Sequence, residues 1–145
     1  MDARRVKIVR TAWVALPAIV LTFADTALTL LFQPSSYWAG DLFSAHEYSP
    51  WGAGLLHVHP AAFAAFMLAW ACVIVVIAGM LREPWNRVWA LMIVIGHSAG
   101  AFDWLEDLDY TAALFTFLGA ALLTVFCWGK AAALRSPGDA PEPRP

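Results

Sequence analysis

At 145 residues, with 61% apolar side chains and a mean hydropathy of +0.63, the chain carries too little charge to coat a water-soluble globule. A net charge of −2 offers nothing to a nucleic-acid backbone, and the length accommodates one small domain. What remains is an integral membrane protein whose few polar residues are therefore informative.

Four apolar stretches run from Val9 to Phe32, Pro60 to Leu81, Val88 to Leu105 and Thr111 to Gly129. Each approaches the roughly 20 residues that a helix needs to cross about 30 Å of hydrocarbon. Lipid gives the backbone no partner but itself, so these runs are helices. The expected fold is all-α, a four-helix up-down-up-down bundle in one domain over residues 1–135. A Pro-rich polar tail, "SPGDAPEPRP", is expected to be disordered over residues 136–145.

Basic residues orient the spans. Arg4, Arg5, Lys7 and Arg10 lie at the start of the chain, Arg82 and Arg87 between the second and third spans, and Lys130, Arg135 and Arg144 after the fourth. The connections 33–59 and 106–110 hold no Lys or Arg, so both termini are expected in the cytoplasm and those connections outside. Trp13, Trp85, Trp89 and Trp128 then fall near the inner interface, and Trp38, Trp51 and Trp104 near the outer one. A cleaved signal peptide over residues 1–27 is disfavoured, because Asp25 occupies the −3 position of the nearest cleavage site.

The first span contains "IVLTFADTALTLLF", with Asp25 inside it. The acid lies roughly 10 Å below the outer end at 1.5 Å per residue. Thr22 and Thr29 share its face and Thr26 lies beside them. A charge facing lipid at mid-bilayer costs about 3 kcal/mol even on the lenient insertion scale, so the stripe is expected to face the bundle interior.

The connection over residues 33–59 mixes Tyr37, Trp38, Phe43, Tyr48 and Trp51 with Asp41, His46 and Glu47. This is the composition of a segment lying in the interface and capping the bundle. Ser49 and Pro50 form an N-cap and first-turn pair, so a helix is expected to start there and to break near Pro60. Cys72 and Cys127 fall at different depths and read as small packing residues.

On the third span, His97 falls at the depth of Asp25 if the helices alternate, and the two are expected to pair in a buried pocket with Thr29. Gly96 and Gly100 make a small-xxx-small pair that lets another helix approach. The acids Asp103, Glu106, Asp107 and Asp109 read as a solvated rim and a dipole complement for the fourth span.

"HVHP" raises a second possibility. The residue before a proline favours extended geometry, in which His57 and His59 point the same way and could chelate a metal. His97, Asp25, Glu47 or Asp103 would complete a nitrogen and oxygen ligand set of the kind zinc, copper or iron accept. The interfacial structural role of such histidines stands beside that reading.

Asp25-x-x-x-Thr29, followed by Glu47-x-Ser49-Pro50, resembles an uncharacterised family of small bacterial four-helix membrane proteins. In that family the second motif is Glu-x-Asn-Pro, with Ser49 standing here for the Asn. The resemblance spans residues 20–70 and implies residence in a bacterial inner membrane and a site at Asp25 and Glu47. It implies no chemistry. Three functional classes follow: an accessory or partner-binding membrane protein, a metal- or haem-binding redox protein or enzyme built on His57, His59 and His97, and an ion- or proton-coupled transporter working as a homo-oligomer. No P-loop, nucleophile elbow or CxxCH occurs, which argues against nucleotide hydrolysis, serine esterase chemistry and c-type haem.

Overall fold

The computed structural model describes residues 2–106 and 109–134. The tail predicted over 136–145 lies outside the described residues, as do Arg135 and Asp107. In chain order the elements are α1 (Ala3–Leu31), α2 (Ser35–Trp38), a 3-10 turn (Leu42–Ser44), α3 (Pro50–Val58), α4 (Pro60–Met80), α5 (Trp85–Glu106) and α6 (Tyr110–Ala133). No strand occurs among the described residues. Helices α1, α4, α5 and α6 are long and apolar enough to cross a membrane.

α1, α5 and α6 outrun the predicted apolar stretches, because hydropathy marks only the part of a helix that lipid tolerates, whereas α4 ends one residue short of its own. α1 begins at Ala3, ahead of its basic residues, where the Asp2 carboxylate accepts the Arg4 N–H at 3.4 Å. α6 begins behind Asp109, whose side chain accepts the Thr111 N–H at 2.8 Å, and continues to Ala133. Pro17 lies buried inside α1 and supplies no N–H to its turn. Beside that break, the Trp128 indole donates to the Val14 carbonyl at 3.3 Å and ties α6 to α1.

Helices α1 and α5 pack together and each also meets α4 and α6, whereas the backbones of α4 and α6 nowhere approach each other closely among the described residues. The bundle therefore has a central pair with one helix on either side. Small residues make the close approaches: Ala18, Ala90, Ala101, Ala113 and Ala131 are all buried. Large side chains such as Leu68, Val76, Ile95, Leu122 and Val125 point outward. So much exposed apolar surface has no place in water and suits lipid.

Connection 33–59 is folded down onto the bundle. Gln33 donates to the Thr29 carbonyl at 2.7 Å and to the His46 carbonyl at 2.8 Å, and its own oxygen accepts the His46 N–H at 2.8 Å. Tyr37 is buried, donates to the Leu56 carbonyl at 3.2 Å, and clusters with Leu56, Phe63 and Met67. Ser49 Oγ caps α3 by accepting the Gly52 N–H at 3.3 Å. α3 ends at Val58, His59 is extended, and Pro60 opens α4, so the break falls where the proline forces it.

Candidate functional site

The polar stripe of α1 divides into two kinds of residue. Thr22 donates to the Ala18 carbonyl at 2.8 Å and Thr26 to the Thr22 carbonyl at 2.7 Å, so both satisfy themselves within their own helix. Asp25 and Thr29 reach across to α5. His97 Nδ1 meets Asp25 Oδ2 at 2.8 Å, with the two side chains only 15% and 17% exposed. The Trp104 indole donates to Thr29 Oγ1 at 3.0 Å. With Asp25 ionised, its carboxylate accepts and the ring donates from Nδ1, which fixes the imidazole's orientation.

Gly100 lies between those two ties. A Cβ there would stand 2.7 Å from Asp25 Oδ1, so only glycine leaves the carboxylate its place. Gly52 does the same for Glu47, whose Cγ would lie 2.8 Å from an added Cβ. Gly96, by contrast, faces open space. Of the glycine pair on α5, Gly100 thus admits the Asp25 side chain of the approaching α1, and Gly96 lines the cavity.

That cavity measures about 490 Å³. Asp25, Thr29, Glu47, Ser49, His97 and Asp103 supply its polar lining. Trp51, Leu55, Phe63, Met67 and Trp104 form much of its apolar wall. Burial raises the Glu47 carboxyl above the ordinary carboxylate range; the Ser49 N–H lowers it, Asp25 raises it further and His46 lowers it. The Ser49 N–H reaches Glu47 Oε1 at 2.8 Å, and the His46 ring stands edge-on to Trp104 at 5.4 Å.

The predicted metal grouping is not assembled. His57, at the end of α3, packs on Phe43 with ring centroids 5.1 Å apart. His59 is extended as expected, but its Nδ1 accepts the Ala61 N–H at 3.0 Å and so caps α4. Neither lines the cavity. Asp25, Glu47, His97 and Asp103 share the cavity without converging, and no group of three or more His, Cys, Asp or Glu among the described residues could hold a metal ion. The proline rule sets a backbone angle; it does not decide what the ring nitrogen bonds to. Cys72 is exposed and Cys127 buried, and neither forms a disulfide.

Three contributors escape a reading by residue type. Trp104 looks like an interface anchor but is buried and bonded to Thr29. Gln33 continues the α1 stripe one turn beyond Thr29 and fastens the connection; that spacing is its only signal. The glycine spacing marks Gly100 as a place where another helix can approach, without telling that a carboxylate fills it.

No family model, curated protein or solved structure matches this chain. The site therefore stands on its own geometry. Asp25, Thr29, Glu47 and Ser49, which define two short motifs separated by a long connection, line one cavity.

Proposed function

We propose that the chain is a small integral membrane protein of a bacterial inner membrane whose role is to bind a small molecule in the cavity at Asp25 and His97, as an accessory or binding protein. The observation that carries this reading is the convergence of both sequence motifs on that cavity. In this arrangement the four long helices alternate across the bilayer, both termini are cytoplasmic, and α2, the 3-10 turn and α3 cover the outer end. The placement of every Lys and Arg supports that orientation, and the short connections 81–84 and 107–109 support antiparallel neighbours. An acid and an imidazole held at membrane depth are costly to keep, which favours a working site over a structural accident.

Transport is the weaker reading. Ala18, Leu21, Ile74, Val94 and Ala120 pack into a continuous core cluster along α1, α4, α5 and α6, so a path would require several copies of the chain. Native mass spectrometry of the protein extracted from its host membrane tests the binding role. A non-lipid adduct is expected on the wild type and is expected to be lost from Gly96→Leu, which fills the cavity. An adduct retained by that variant, or none on the wild type, overturns the reading.

A further inference from the structure

We infer that the cavity takes an organic monocation, a protonated amine on an apolar body, which enters from the bilayer. The inference rests on the reading of the cavity as a ligand site and goes beyond it in naming the ligand's charge and build. Its first support is an imbalance of charge. Asp25, Glu47 and Asp103 line the cavity against the single imidazole of His97, and no Lys or Arg is among the lining residues. Nor does any occur between Arg10 and Arg82, or between Arg87 and Lys130, so histidines are the only basic side chains the sequence offers to these acids. Negative potential of that kind in a cleft concentrates cations and repels anions. Burial raises the Glu47 carboxyl most and Asp25 raises it further, against the Ser49 N–H and His46, and a bound cation offsets the contribution of Asp25.

The walls decide what sort of cation fits. Trp51, Trp104, Phe63 and Phe66 present aromatic surface, which attracts a cation through the ring quadrupole, and Met67 and Met92 add adaptable thioethers. A volume of about 490 Å³ suits a molecule of drug-like size and is far more than a bare ion requires. The carboxylates do not gather into a metal-binding group, as noted above, so the charge they attract need not be a metal's. Access follows from exposure: Phe66 on α4 is 49% exposed and Met92 on α5 63%, so the rim on the lipid side is apolar. A neutral ligand would gain no attraction from the carboxylates, and an anion would add to the repulsion.

Tetraphenylphosphonium and tetraphenylborate share size, shape and apolar surface and differ in the sign of their charge. Equilibrium dialysis of each against the full chain in phosphatidylcholine nanodiscs, with empty nanodiscs subtracted, reads the preference directly. Expected is saturable binding of the phosphonium, at least tenfold tighter than the borate. Asp25→Asn with Glu47→Gln keeps side-chain size and the Glu47 acceptor, and is expected to weaken phosphonium binding at least tenfold; should the double variant misfold, Glu47→Gln alone is expected to weaken it several-fold. Equal binding of the two ions, both lost in Gly96→Leu, overturns the cation preference and leaves the ligand site standing. Absence of saturable binding by either ion, or full retention in the amide variants, also overturns the preference, and the native mass spectra then decide the ligand site separately.

Discussion

Replacing Gly100 by Ala tests the site through its least conspicuous member. The new methyl would stand 2.7 Å from Asp25 Oδ1, 3.0 Å from Oδ2 and 3.1 Å from Cγ, where ordinary contact begins at 3.4 Å. The carboxylate must therefore retreat by about 3.4 − 2.7, or 0.7 Å, and its 2.8 Å bond to His97 lengthens toward about 3.5 Å, at which little of a hydrogen bond survives. Interhelical hydrogen bonds in membranes are worth about 0.6 kcal/mol on average and about 1.7 at most. Leaving one member of a buried charged pair alone costs about 3 to 5 kcal/mol in soluble proteins. A largely buried pair belongs between these limits, so a loss of about 1 to 3 kcal/mol is expected. Removing a helix glycine also contributes up to about 1 kcal/mol of stability. Gly96→Ala carries the same gain one turn earlier with nothing within 4 Å, and is the proper reference. Reversible unfolding in mixed micelles measures both variants, and Gly100→Ala should fall below Gly96→Ala by that 1 to 3 kcal/mol. In an Asp25→Ser background, where the methyl meets a shorter side chain, the gap should close. A Gly100→Ala protein as stable as Gly96→Ala would refute the close fit.

Trp104→Phe removes the donor to Thr29 and should destabilise by about 0.6 to 1.7 kcal/mol; Thr29→Val should then add little more, and strictly additive losses in a double-mutant cycle would argue that the bond contributes nothing. Glu47 protonates more readily in the folded protein than in the unfolded chain, so the stability it contributes is present in acid and is lost as pH rises through its folded, raised pKa. Unfolding measured from the ordinary carboxylate range up to neutrality should therefore show wild type losing ground to Glu47→Gln as pH rises, and a constant difference would count against the burial argument. In a cysteine-free background, Ser36→Cys should react with an impermeant maleimide on intact cells and Ser136→Cys only after lysis; the reverse pattern would invert the orientation.

Several features are legible because they depend on local rules. Ser49 and Pro50 announce α3, Pro60 announces its end, and the four long helices follow from runs of apolar residues. The pairing of Asp25 with His97 follows from the rise per residue once the helices are taken to alternate, and the two lie 2.8 Å apart. What is not legible depends on the partners that side chains find. His57 and His59 invite chelation by their spacing, yet one ring packs at a tilt against Phe43 and the other caps a helix. Trp104 and Gly100 are common residues in membrane helices, and only the approach of α1 gives them a task. A symmetric bundle would also have let all four helices share the centre, whereas α1 and α5 occupy it.

That central pairing has a consequence for the order of assembly. Asp25 and His97 are 72 residues apart in the chain, and Thr29 and Trp104 are 75 apart. Synthesis runs from the N-terminus, so α1 is complete long before α5 exists. During that interval α1 has a carboxyl among its apolar residues and no imidazole to meet it, a state that costs about 3 kcal/mol if the acid is ionised at mid-bilayer. The nascent helix carries that unpaired group until α5 has been made. The central pair of the finished bundle thus forms only once α5 has been made, and α6 then closes on both of its members.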